Sequence, residues 1–371
     1  MKIAVNARTL VADRMEGVAR YAWETTKQMI LDHPEDTFYL LFDRPYDDVF
    51  LIADNIIPLV IRPATRHPIL WKIWFDHSIV RAMRKYNIDV FYSPEGFCPV
   101  INARKRAPTC IVTHDLAYLH YPDSMINYQL PFYRRRVPQF HKTAEHIITV
   151  SESTRKDVIK QFGVEPQKVS VAYNALPPVI QEQEDLAIKK PYFLYVGSIH
   201  PRKNIVRLVK AFDVFKKQHS DRPEQLRIAG RKAFNNDELE TTLRNLKCYN
   251  DVIFEGQVSE QKKWNLIRQA SSFVYVSLFE GFGIPLLEAF SQNIPVVTSD
   301  RGALAETAGK SAYLVDPENV EAIAKGLFGI VADEKLRQEL VAKGAKRVVD
   351  FSWKISADHI YEVLTKINKS N

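Results

Sequence analysis

The sequence predicts an α/β protein made of two doubly wound, parallel-sheet domains in series. Three observations carry this expectation. The chain has 371 residues, the length of two ordinary domains. Short β-branched or aromatic runs alternate with longer amphipathic segments through both halves, the pattern of repeated strand–helix–strand units. The alternation stops once, near residues 176 to 190, where "LPPVIQEQEDLAIKKP" is rich in Pro and charge and has no clear period.

In the first half the strand-like runs are, in order, "KIAVNA", "TFYLLF", "DVFYSP", "TCIVTHD", "HIITVS" and "VSVAYN". Helix-like segments separate them. "GVARYAWETTKQMILDH" is one, and "ESTRKDVIKQFG" is another, with Ser151 or Ser153 as N-cap and Gly163 as C-cap. After the linker come "YFLYVGS", "QLRIAG", "DVIFEG", "SFVYVS", "IPVVTSD" and "AYLVD". The tail "FSWKISADHIYEVLTKINKSN" reads as a terminal helix. The expected domains are therefore 1–176 and 188–351, with 352–371 packing back on the first. Open α/β sheets bind ligands beyond the carboxyl ends of their strands, so the expected site is a cleft between the two sheets, lined by loops that follow strands.

Composition narrows the function. Hydrophobic residues make up 46%, enough for two cores. The net charge of +7 favours an anionic partner: nucleotide phosphates, nucleic acid or an acidic membrane surface. Cys98, Cys110 and Cys248 have no metal or disulfide spacing, which points to a reducing cytoplasm. "MKIAVNARTLV" reads as a buried first strand, and no stretch approaches the roughly 18 apolar residues of a spanning helix. There is no GxGxxG, no GxxxxGK[ST], no GxSxG and no D-x-D.

The chemistry-bearing loops follow strands. In "LFEGFGIPLLEAF", Glu280 and Glu288 lie eight positions apart around Gly281, Gly283 and Pro285. The glycines admit a ligand close to the backbone, and the amides of a helix start suit a phosphate oxygen. Glu280 would repel that phosphate, so its natural partner is a sugar hydroxyl, and Glu288, further along the helix, could reach a ribose. The plainer reading is a helix N-terminus carrying two favourable acids. In "YVGSIHPRKNI", Arg202 and Lys203 are adjacent cations at a strand end, suited to a diphosphate; alone they would be a solvated basic turn. In "TCIVTHDLAYLHYP", His114 and Asp115 end a first-domain strand, where a lone His is more often structural. Gly17 lies between the first strand and first helix, as an anion-binding amide turn or a plain turn glycine. Trp71 and Trp74 with Lys72, Arg81, Arg84 and Lys85, and Arg134 to Arg136, read either as membrane-seeking surfaces or, more simply, as buried faces with solvated charges.

Taken together these motifs resemble the retaining GT-B glycosyltransferases of family four, over nearly the whole chain. "VGSIHPRKN" is similar to the family's diphosphate-gripping turn, which implies that role for Arg202 and Lys203. "EGFGIPLLE" resembles its acid–seven–acid signature. The resemblance implies that Glu280 contacts the donor sugar and Glu288 the donor ribose, with Phe282, Gly283, Ile284 and Leu287 among the donor-binding positions. "VIFEGQVSE" is similar to the turn that meets the nucleobase, near Gly256 and Val258, and "VTHDLAYLHYP" to the segment that brings His114 to the reaction centre. Gly17, His114 and Asp115 would form the acceptor side. Two departures stand out: Ser198 occupies the place of a frequent Arg, and the first-domain loop has one Gly where others have two.

The implied activity is retaining, metal-independent transfer of a hexose, first of all mannose from GDP-mannose, to a hydroxyl of a glycan or lipid-linked glycan. The resemblance implies no cofactor, only the nucleotide sugar as co-substrate, and a cytoplasmic enzyme, with or without peripheral contact at the inner face of the membrane. Three rivals remain: a nucleotide-sugar epimerase on the same frame, a basic nucleic-acid-binding protein, and a carbohydrate-binding protein with a degenerate site. The last two are disfavoured by the missing basic repeat and by the complete set of Arg202, Lys203, Glu280 and Glu288.

Overall fold

A computed structural model of the chain describes residues 1–101, 107–125, 128–182, 186–231 and 237–369. Linker residues 183–185 and positions 370–371 of the expected terminal helix lie outside the described residues. The chain divides into two compact units, Met1–Asn174 with Ser352–Asn371, and Ala175–Phe351.

The first unit is built on seven parallel strands: β1 (Lys2–Asn6), β2 (Thr37–Phe42), β3 (Ile56–Val60), β4 (Val90–Ser93), β5 (Thr109–Thr113), β6 (His146–Thr149) and β7 (Val169–Val171). Their spatial order is β3-β2-β1-β4-β5-β6-β7. Six of them coincide with the runs read from the sequence. β3, "IIPLV", was not expected: it carries Pro58, pairs on one side only, and is largely half-exposed, so it shows neither alternation nor an apolar run.

The second unit has six parallel strands: β8 (Tyr192–Val196), β9 (Gln225–Ala229), β10 (Val252–Gly256), β11 (Ser272–Tyr275), β12 (Val296–Ser299) and β13 (Tyr313–Val315), ordered β10-β9-β8-β11-β12-β13. All six were legible as apolar runs; the central ones, such as β8 and β11, are buried on both faces. Each sheet reverses its winding once, between β1 and β4 and between β8 and β11. The loops at those two points border the crevice where doubly wound sheets take ligands.

The aromatic–cationic stretch resolves in favour of a buried face. Pro68–Ile73, a π-helical turn Trp74–Ile79 and Val80–Lys85 run on as one helical segment. Trp71 and Trp74 are buried, and their indole N–H groups donate to the carbonyls of Thr65 and Ile61 at 2.7 and 2.9 Å. Lys72, Arg81, Arg84 and Lys85 lie on the exposed side. Arg136 is not a surface cation either. It is buried and donates to Asp76 of the π turn at 2.6 Å, and Asp76 in turn accepts from the amides of Val100 and Ile101.

Local signals set the element ends. The helix Glu152–Phe162 starts at Ser151, whose hydroxyl accepts from the Thr154 amide, and stops at left-handed Gly163. The helix Trp353–Lys369 belongs to the first unit. It packs on the helix Val18–Asp32, with Trp353 edge-on to Tyr21 at 5.9 Å. The Tyr361 hydroxyl donates to Asp36, and Ser356 donates to the Tyr173 carbonyl, both at 2.7 Å. Among the described residues, no helix is long and apolar enough to cross a membrane.

Candidate functional site

Arg202, Lys203 and Glu280 come together at the switch point of the second sheet. The loop after β8 carries the turn Pro201–Lys203, and the loop after β11 carries Glu280. The Leu278 amide donates to the Arg202 carbonyl at 2.8 Å, which ties the two loops. Asn204, left-handed with φ 65°, donates to the carbonyls of Val276 and Pro317 and so anchors the basic turn to the ends of β11 and β13.

Within this frame Lys203 Nζ lies 2.5 Å from Glu280 Oε1 and 2.6 Å from the Tyr275 hydroxyl. Arg202 donates to Glu280 Oε2 at 3.0 Å and to the Phe279 carbonyl at 2.9 Å. Tyr195 stacks on Tyr275 at 5.6 Å and forms the floor. The Glu280 side chain is only 9% exposed. Burial alone would raise its pKa; Lys203 and then Arg202 outweigh this and hold it at about 2. A buried carboxylate bridging two cations is a preformed anionic ligand, and a diphosphate offers the same cations the same charge-assisted bonds.

Gly283 begins the helix Ile284–Ser291 at φ 112°, and no side chain caps it. A Cβ at Gly283 would meet the tip of the Leu304 side chain at 2.7 Å, and the positive φ itself favours glycine here. The Phe282 carbonyl is turned away to accept from the Thr307 hydroxyl at 2.8 Å. Leu287, inside that helix, is fully buried, so neither its side chain nor its backbone is open to a ligand in this structure. Gly256 ends β10 in the left-handed region, with Val258 two residues on.

Glu288 does not join the Glu280 cluster. It is buried, and its Oε1 is 2.8 Å from Lys263 Nζ on the neighbouring helix Glu260–Gln269. Burial pulls the Lys263 pKa down, but Glu288 and Glu260 outweigh it and raise it. Sequence reading missed Lys263, since the pair joins residues 25 apart. It also missed Gly230, whose Cβ would sit 1.9 Å from the Gly197 carbonyl oxygen: the loops after β8 and β9 touch there, backbone to backbone.

In the first unit, Gly17 (φ 51°) stands at the start of Val18–Asp32, and an added Cβ there would meet open space. One turn on, the Tyr21 ring meets His114 edge-on at 5.1 Å, so Gly17 and His114 belong to one neighbourhood. His114 Nε2 donates to the Pro94 carbonyl at 2.7 Å, and burial pushes the His114 pKa down, which favours the neutral ring. Asp115 accepts from the Ala117 amide at 2.9 Å, holding the turn that follows.

Two doubly wound parallel-sheet units in one chain are the GT-B architecture expected from the sequence. Residues 15–178 match the family model described as Glycosyltransferase Family 4, and residues 178–347 match Glycosyl transferases group 1. The chain belongs to this family of glycosyltransferases. It is 24% identical over 361 residues to O-antigen chain mannosyltransferase B of Escherichia coli, covering 91% of this chain and 93% of the relative. It is 29% identical over 268 residues to O-antigen chain mannosyltransferase RfbU of Salmonella typhimurium, covering 71% of each. The crystal structure of a glycosyltransferase from Rickettsia africae superposes with a TM-score of 0.73 at 17% identity, covering 100% of this chain and 99% of the other.

Proposed function

We propose that this glycosyltransferase is a retaining, metal-independent mannosyltransferase. It takes mannose from GDP-mannose and places it on a hydroxyl of a lipid-linked glycan or growing surface polysaccharide. The single observation that carries the donor half is the Arg202–Lys203–Glu280 cluster beside the uncapped start of Ile284–Ser291. The names of the two O-antigen relatives support mannose and the acceptor class.

In this reading the diphosphate takes the place of Glu280 on the two cations, and Glu280 turns its oxygens to the sugar hydroxyls. Glu288, held by Lys263, faces the ribose. The bond between the sugar C1 and the β-phosphate oxygen breaks, and the acceptor oxygen bonds to C1 on the same face. The acceptor proton passes to the departing phosphate oxygen. Negative charge grows on the diphosphate, where Arg202, Lys203 and the amides of Gly283 and Ile284 would stabilise it; groups of this kind contribute about 3 kcal/mol each in other transfers. This positive field makes a metal unnecessary. The first unit supplies the acceptor, near Gly17, His114 and Asp115. The enzyme works in the cytoplasm, at the inner face of the membrane where a lipid-linked acceptor is held.

The test is a transfer assay in EDTA with GDP-mannose and with UDP-linked glucose, galactose and N-acetylglucosamine, alongside melting curves for each donor. The expected result is selective stabilisation by GDP-mannose and an α-linked mannosyl product. Transfer only in the presence of added metal, an inverted product, or donor conversion without an acceptor would each overturn the assignment; the last is the outcome expected of an epimerase.

A further inference from the structure

The carboxyl ends of β1 and β4 meet at the switch point of the first sheet, and a largely buried ion pair sits there, its side chains 13% and 6% exposed. Arg8 lies two residues past β1 and Glu95 two past β4. Arg8 Nε donates to Glu95 Oε1 at 2.8 Å and its Nη2 to Oε2, a bidentate fork. Asn6 Nδ2 donates to Glu95 Oε1 at 2.5 Å and to the Ser93 hydroxyl at 3.0 Å. The guanidinium is boxed by Trp71, Phe97 and Phe75, at 5.2, 5.4 and 5.9 Å from their ring centres.

A buried ion pair is a poor device for stability alone, because an apolar pair of similar volume serves as well or better. What a fork supplies is direction. Between Ser93 and Glu95 lies Pro94, whose carbonyl accepts the Nε2 proton of His114. Both flanks of that carbonyl are held: Ser93 by Asn6, and Glu95 by Asn6 and Arg8. With Nε2 donating, the neutral ring must carry its lone pair on Nδ1.

We propose that Arg8 and Glu95 are positioning residues for His114. They clamp the Ser93–Glu95 turn, so that the Pro94 carbonyl fixes the tautomer and orientation of the ring that the glycosyl-transfer reading puts at the acceptor. In this role both act through the ring and not on the reacting atoms. The inference rests on that reading for its effect on rate, but not for its effect on the ring.

The experiment uses the full-length chain with ¹⁵N-labelled histidine. Ring nitrogen shifts of His114 are recorded for the wild type, Glu95→Gln, Arg8→Met and the double variant Arg8→Met/Glu95→Leu. The double variant leaves no buried charge unpaired and guards against single variants that fail to fold. The wild type is expected to show one tautomer, protonated on Nε2, and the variants a mixture. In steady state the variants should lose about 10- to 100-fold in kcat, the scale of a small misplacement, with KM for the nucleotide sugar within twofold. A folded double variant with a single Nε2–H tautomer, or with wild-type kcat, would overturn the proposal. If no nucleotide sugar supports transfer by the wild type, the enzymatic reading fails, and the tautomer measurement still decides whether the clamp exists.

Discussion

Replacing Glu280 by Gln should make this protein less stable when empty and a tighter binder of nucleoside diphosphate. In the ligand-free chain Glu280 is the counter-ion of both Lys203 and Arg202, at 2.5 and 3.0 Å. Holding a carboxyl at about 2 rather than 4.5 corresponds to about 3 kcal/mol of preference for the charged form. A glutamine keeps the shape and loses that attraction. The two cations are left facing each other, and the melting temperature should fall by several degrees. The same attraction is what an incoming diphosphate must displace, so its removal favours binding. About 3 kcal/mol sets a ceiling of roughly 100-fold, and a tenfold gain is expected because the wild-type carboxylate can swing away from the bound diphosphate and recover part of the lost interaction with water. Calorimetric titration with GDP measures the gain, and melting curves with and without GDP measure the shift. Turnover should fall sharply in the same variant, since the sugar hydroxyls lose their acceptor. Unchanged or weaker GDP binding together with an unchanged melting temperature would refute the idea that Glu280 and the diphosphate compete for the same cations.

Three further outcomes are expected. In acid the first unit should weaken before the second. Burial holds His141 and His146 at about 4 and lowers His114 and His359, so the stability they confer is full above about pH 6.5 and lost as pH falls toward 4. The pairing of Glu280 is full above about pH 4.5 and lost only as pH falls toward 2, so tryptophan fluorescence across an acid titration should show two steps. A single transition centred below pH 4 would contradict this. Gly230→Ala should cost about 3 kcal/mol or more, because its Cβ meets the Gly197 carbonyl, while Gly256→Ala, left-handed but in open space, should cost about 1 kcal/mol; urea denaturation compares them. Lys263→Met should raise KM for the nucleotide sugar several-fold with kcat little changed, because it breaks the Lys263–Glu288 ion pair without touching the Arg202–Lys203 cluster; steady-state kinetics separate the two constants.

The strands that form both sheets could be read directly, because buried parallel strands are written as compact apolar runs. "FVYVS" and "YFLYV" announce β11 and β8 without help from distant sequence. β3 escaped because an edge strand with Pro58 carries neither signal. The positions of Arg202, Lys203 and Glu280 were legible as strand-end loops, and the topology turns that into proximity. What could not be read was pairing across the fold. Nothing local in "NARTL" says that Arg8 finds Glu95, 87 residues away, or that Lys263 holds Glu288. The same holds for Arg136. Three consecutive arginines look like a surface patch, and only the buried Asp76, 60 residues earlier, withdraws one of them.

The helix Trp353–Lys369 completes a unit whose other residues end at Asn174. During synthesis the ribosome must therefore deliver the whole of Ala175–Phe351 before the N-terminal half can cover its exposed flank. The half made first is finished last. Expressing residues 1–174 alone would leave Tyr21, Asp36 and Ser170 without the Trp353, Tyr361 and His359 side chains that meet them. A soluble fragment of the first unit would have to be built by stitching the last helix onto it.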